Sequence, residues 1–378
     1  MPPPTSLVTS TAIAELPESI AATTRNGRGL GDLRFASAAA TGKTVALMLD
    51  SERPGVVAVV RAGGGGALAV EPRAGNLVPA GSPLVGRSDE AAGEVVFDEL
   101  ALGAAYRAPL RVGPDGPGGA GDCCAWWQPE TVWRVPAGRP DGGLLRAATP
   151  GDLTWTVLEA YAAGDARPRW RATLLPADGP AVVADAALTR DGALALVQLT
   201  DGKRAARLVA YDAATGKPVW QHDTAATYGS WGALVLSDDG AAVLSVLADP
   251  ARCEVCERAE IRAVATGALL RTVPLDGPSI LARLGPRGIE TYLGIVGDEL
   301  WFRFRRGPQH PDSALAAAST YDAFDLHTGR GRQVDPSWTA AFADRALPLL
   351  ALPIRGGVLA VRVLDRNRLE MIQFGRAP

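Results

Sequence analysis

Short apolar runs separated by polar, glycine-bearing turns follow one another along most of this chain. Residues 181–223 show the plan in full. AVVADAAL is an apolar run, TRDG a turn, ALALVQL a second run and TDGK a second turn. ARLVAYD, AATGK and PVWQHD then supply a third run, a third turn and a fourth run. Val, Leu, Tyr and Trp fill the runs, and these side chains suit a pleated, half-buried surface. Asp-Gly and Thr-Gly give the turns the positive φ that tight hairpins need. No helical spacing of apolar residues interrupts the series, so the pattern predicts an all-β chain of antiparallel strands.

The plan recurs. AYDAATGKPVW (210–220) falls on AYAAGDARPRW (160–170), which sets Tyr211 on Tyr161, Pro218 on Pro168 and Trp220 on Trp170. RAVATGALLR (262–271) brings Thr266-Gly267 onto Thr215-Gly216, and AFDLHTGRG (323–331) repeats the Asp, Thr and Gly. ALTRDGALALV (187–197) matches LVLSDDGAAVLSV (234–246). Gly42, Gly93, Gly142, Gly192, Gly240 and Gly288 mark the same turn at intervals of 48–51 residues. A seventh unit fits if Asp344-Arg345 takes the turn ahead of ALPLLALP, GGVLAVRVLD and RLEMIQF. Four strands per ~50 residues, repeated about seven times, predict a β-propeller, because one such sheet cannot bury both of its faces alone. The expectation is a single propeller over residues 31–378 with seven four-stranded blades, eight and six being the alternatives. Residues 1–30 precede the first unit. SLVTSTAIAEL within them alternates like a strand, and the segment reads either as the outer strand that closes the last blade or as a disordered arm.

LVAYDAATGKPVWQ (208–221) resembles the blade motif of the quinoprotein-like, or PQQ-like, propeller repeats. LSDDGAAVLSV is similar to the Asp-Gly turn of the WD and YVTN propellers. The resemblance is best over 181–330, extends to 130–180 and 331–378, and is weak before 130. It implies a fold and leaves the activity open.

Composition narrows the classes. Hydrophobic residues make up 47% of the 378, enough for a sizeable core. Gly (43) and Pro (29) are enriched over the ordinary total of roughly 12%, as a turn-rich chain requires. The formal charge is only −3 and no Lys/Arg block stands out, which argues against a nucleic-acid partner. No apolar run approaches the ~20 residues of a membrane span. MPPPTSLVTSTAIAELPESI lacks a basic segment followed by an apolar core. The chain as written therefore reads as cytoplasmic, and as exported if a leader has been removed.

Candidate chemistry is sparse. The adjacent Cys123-Cys124 match, through the resemblance, a Cys-Cys disulfide that lies over the quinone in quinoprotein alcohol dehydrogenases. The metal-binding carboxylates and catalytic Asp of those enzymes are not found here, and the repeat register sets the two cysteines on or near the outer strand of the second blade. Cys253 and Cys256, a CxxC, fall between the second and third strands of the fifth blade. Two such pairs together offer four thiolates to zinc, but three blades separate them. The expectation is therefore no cofactor, with zinc and PQQ as the alternatives. ATGKT (40–44) lacks the earlier glycine of a phosphate loop, Ser37 standing there. His222 and His327 fall at hairpin ends, where exposure is the default. WFRFRRGPQHPDSALAAAS (301–319) departs from the repeat and lengthens the sixth blade by about a dozen residues. Its Arg303, Arg305, Arg306 and His310 are the candidate binding residues, suited to an acidic partner or a carboxylate. A rigid disc with loops at both ends and no locatable acid, base or nucleophile set reads as a non-catalytic binding or scaffold protein in a larger assembly. The rivals are a propeller enzyme, either a quinoprotein-type oxidoreductase or a hydrolase using channel residues, and an extracytoplasmic assembly factor.

Overall fold

The computed structural model describes residues 7–15, 35–41, 44–49, 56–62, 68–79, 83–99, 104–113, 116–117, 125–126, 132–134, 143–189, 191–201, 205–225, 234–237, 240–248, 256–274, 289–296, 299–305, 319–325, 327, 331–333, 349–354, 357–365 and 368–375. Strand β1 is Leu7–Glu15. The first sheet holds β2 (Phe35–Thr41), β3 (Thr44–Leu49), β4 (Val56–Ala62) and β5 (Leu68–Ala74). The second holds β6 (Asn76–Pro79), β7 (Pro83–Asp89), β8 (Glu94–Glu99) and β9 (Ala104–Pro109). A small extra sheet follows, with β10 (Arg111–Gly113) between β11 (Gly116–Pro117) and β12 (Ala125–Trp126). The third sheet is β13 (Val132–Arg134), β14 (Leu144–Ala148), β15 (Thr156–Tyr161) and β16 (Pro168–Leu174). The fourth is β17 (Val182–Leu188), β18 (Leu194–Thr200), β19 (Ala205–Asp212) and β20 (Pro218–Ala225). The fifth is β21 (Leu234–Leu236), β22 (Ala242–Ala248), β23 (Cys256–Ala263) and β24 (Leu269–Pro274). The sixth is β25 (Ile289–Val296), β26 (Glu299–Arg305), β27 (Ser319–Asp325) and β28 (Gly331–Gln333). The seventh is β29 (Leu349–Ile354), β30 (Gly357–Asp365) and β31 (Arg368–Gly375), with β1 as its fourth strand.

The first strands of these four-stranded sheets form a closed circuit. β2 lies beside β6, β6 beside β13, and so on through β17, β21, β25 and β29, which returns to β2. Sheets meeting in this way are stacked radially about an axis, as in a β-propeller. β1 pairs with β31 from Leu7↔Gly375 to Glu15↔Arg368, so the two ends of the chain meet in one sheet. The one helical turn among the described residues is Pro176–Asp178.

Facing sheets bury the apolar positions between them. Leu145, Ala147, Leu158, Ala160 and Trp170 of the third sheet pack on Leu188, Val197, Leu199, Val209 and Tyr211 of the fourth. Each fully buried Leu or Val among them contributes about 1.5–3 kcal/mol. The repeated Asp, Thr, Gly and Trp have a shared purpose. Asp212 Oδ1 accepts from Ala214 N–H, Thr215 N–H and Thr215 Oγ1, which winds the turn tightly. Gly216 then takes φ +69° and presents bare backbone to the Trp170 ring, where a Cβ would come within 2.6 Å. Trp170 Nε1 donates to the carbonyl of Ala213 at 2.9 Å. Trp220 repeats the arrangement one sheet on, against Gly267 and the Val264 carbonyl. The motif is thus a joint between neighbours: each Trp docks on the next sheet's turn.

Three positions depart from the sequence reading. Gly93 sits between β7 and β8, the second and third strands of its sheet, and β6 pairs with β7 across 80–82, which lie outside the described residues. Gly288, outside the described residues, immediately precedes β25, and Gly297-Asp298 joins β25 to β26. In the seventh sheet the first hairpin spans Arg355-Gly356 in place of Asp344-Arg345. In each case another short glycine-bearing stretch connects the first two strands, and an interval near 50 residues did not distinguish the two.

Candidate functional site

Antiparallel succession gives the ring two unlike ends. At one end lie the hairpins joining first to second strands and third to fourth strands. Their connections are short, 135–143 being the longest, and contain no Phe, Trp or Tyr. The strand ends joined by 16–34, 110–131, 275–288, 306–318 and 334–348 all lie at the other end, where second strands pass to third and each sheet passes to the next. Trp126, Trp127, Trp155, Trp231 and Trp338 belong to connections of that second end, five of the nine tryptophans in the chain.

Along the chain, the candidate residues of the sequence lie in or next to connections of this same end. Arg303 and Arg305 are on β26, with Arg305 its last residue, and β27 begins at Ser319. Arg306 and His310 lie outside the described residues, in the segment joining those two strands. Cys256 opens β23, where it pairs in register with Ala248 of β22, while Cys253 lies outside the described residues. Cys123 and Cys124 also lie outside them. They immediately precede β12 of the small extra sheet, and the outer strand of the second sheet is β9. The chain bends at Leu110 after β9, and the placement of the two cysteines on or near the outer strand of the second sheet falls outside the described residues. His327 is exposed in a turn, but His222 is within β20, packed against Trp220 at a ring separation of 5.6 Å. No group of three or more His, Cys, Asp or Glu suited to a metal occurs among the described residues.

The described side chains also reveal a buried charged row that sequence reading missed. Arg146, Glu159 and Arg171 face one another across β14, β15 and β16. The row looks toward the second sheet, since Leu144 and Tyr161, on the same face, pack with Leu84, Phe97 and Tyr106. Arg146 has 0% exposure. Its Nη1 donates to the carbonyl of Pro109, and Arg171 Nη2 donates to the carbonyl of Gly113, so both arginines hold the bend that leads into β10. Glu159 accepts from the Tyr161 hydroxyl at 2.7 Å and lies 3.8 Å from Arg171 Nη1. Burial lowers the pKa of Arg146, opposed by Tyr161 and Glu159. Burial, followed by the charge of Glu159, pushes Tyr161 far above its ordinary value. The signal for this row lay in the repeat itself. Arg146 and Glu159 occupy the positions of the buried apolar pair Val197 and Val209 in the next sheet.

No known family model matches the chain, and no curated protein does. Solved structures resemble it. BamB from Moraxella catarrhalis is similar over 97% of this chain and 100% of its own, at 14% identity and a TM-score of 0.44. The Dos1 propeller covers 88% of this chain and 74% of its own length, at 10% identity and 0.42. A chain of a mitotic checkpoint complex covers 99% and 93%, at 11% identity and 0.45. The likeness is one of fold. The circuit of sheets described above stands without it.

Proposed function

We propose that this chain is a non-catalytic propeller that holds a protein partner within a larger assembly, and that the partner docks on the end of the ring carrying the long connections. One observation carries the reading: every connection longer than nine residues belongs to that end, and so do the connections holding Trp126, Trp127, Trp231 and Trp338, whereas Trp155 is buried in the core. Long insertions on a rigid scaffold are where binding residues concentrate, and Trp and Arg dominate the energetics of protein interfaces. Arg303, Arg305, Arg306 and His310 give the sixth sheet a basic approach at this end, suited to an acidic segment of the partner. The reading calls for no cofactor. Purified protein without quinone absorbance and without stoichiometric zinc is the expected result. The docking test is capture of the native partner by wild type and by a triple variant, R303E/R305E/R306E. Charge reversal is expected to weaken capture at least tenfold while the unfolding midpoint stays within a few degrees. Unchanged capture by the folded variant removes the basic loop from the interface.

A further inference from the structure

The charged row between the second and third sheets has an imbalance. Arg146 Nε and Nη2 have no partner, nor has Arg171 Nε, and all three atoms are buried. Nε and Nη2 form the side edge of a guanidinium, the edge that grips an acceptor with two parallel N–H bonds. The ionisable groups acting on Arg146 are Tyr161, Glu159 and Arg171. With Tyr161 neutral, two guanidinium groups face one carboxylate, and Glu159 already accepts from Tyr161 while lying near Arg171. Buried guanidinium N–H groups without an acceptor are costly, and native interiors resolve such groups with a partner, a water or an ion.

We infer that the Arg146 Nε/Nη2 edge, with Arg171 Nε, binds a small monovalent anion of halide size at the seam between the second and third sheets. The row itself carries one more guanidinium than carboxylate, and Glu99, buried on the face of β8 that meets the third sheet, disfavours an anion of higher charge. The complete burial of Arg146 favours a compact ion over an organic carboxylate. Because the same two arginines hold the carbonyls of Pro109 and Gly113, occupancy tightens the anchorage of the bend into β10. The inference is independent of what docks on the ring.

Two measurements test it. Urea unfolding at constant ionic strength, with sodium chloride replacing sodium gluconate, is expected to show a midpoint that rises with chloride concentration, as for any ligand bound only by the folded state. The double variant R146V/E159V, which installs the apolar pair of the next sheet, is expected to fold and lose that dependence. Crystals grown in sodium bromide are expected to show an anomalous peak beside Arg146 Nε and Nη2. A midpoint indifferent to chloride together with no bromide peak overturns the inference and leaves water as the partner. A chloride dependence that persists in R146V/E159V overturns it as well.

Discussion

At the scale of the residue, the docked indole decides what the turn glycine is. Gly216 cannot carry a side chain for two separate reasons: its φ of +69° is poorly tolerated by L residues, and a Cβ would meet the Trp170 ring at 2.6 Å. Gly216→Val is expected to cost on the order of 3 kcal/mol in urea unfolding. A loss below about 0.5 kcal/mol would mean that the joint gives way freely. The neighbouring Asp212 offers a pH readout. Hydrogen bonds from Thr215 hold its carboxyl below the ordinary range. A depressed pKa means that its contribution is present above the unfolded value, about 3.9, and is lost as pH falls through the folded one. Asp212→Asn is therefore expected to flatten the stability profile at acid pH without changing its slope near neutrality. Tyr161 gives the opposite limb. Its pKa is raised, so the stability linked to it is complete below the unfolded value of about 10 and falls as pH rises beyond that. Tyr161→Phe is expected to remove that share of the alkaline loss, read as the unfolding midpoint between pH 9 and 11. Thr215-Gly216 and Trp220 were legible in the sequence because they are local and repeat. Arg146, Glu159 and Arg171 were not, since register across three strands is what makes them neighbours.

At the scale of the element, periodicity located the sheets better than it located the strands within them. A turn glycine every 48–51 residues counts units whether it falls after the first strand, as Gly192 does, or after the second, as Gly93 does. Strand order needs the pairing partner, which is why β1 could be read from its alternation yet placed only by its ladder with β31. That ladder makes a sharp test. Removing residues 1–15 exposes the whole edge of Arg368–Gly375, and at about 1 kcal/mol per ladder hydrogen bond the cost is on the order of 5 kcal/mol. The expected outcome is loss of a single cooperative urea transition, restored by adding Leu7–Glu15 back as a peptide in trans. Joints between sheets also differ. Trp170 and Trp220 dock on the next turn, but in the fifth sheet the equivalent position is Arg271, which reaches the carbonyl of His327 at 2.7 Å. An ion-dipole contact at the surface replaces a buried ring there.

At the scale of the whole molecule, a ring built from antiparallel sheets sorts its connections by length between its two ends. Short hairpins serve one end, and the third-to-fourth turns of the fourth and fifth sheets, on which Trp170 and Trp220 dock, cannot tolerate insertion. Freedom to lengthen is left to the other end, where insertion leaves these joints and ladders untouched. This predicts a directional response to added chain. A ten-residue Gly-Ser insert within 63–67 or 135–143 adds length at the short end, and one within 306–318 or 334–348 adds it at the long end. All four variants are expected to unfold within a few degrees of wild type, because surface loops absorb added length at a cost of about 0.6 kcal/mol per doubling. Partner capture is expected to survive the first two inserts and to fall at least tenfold with one or both of the others. Equal capture by all four, with folding intact, would place the docking surface on the outer edges of the sheets. The separation of the ring's two ends would then concern stability alone.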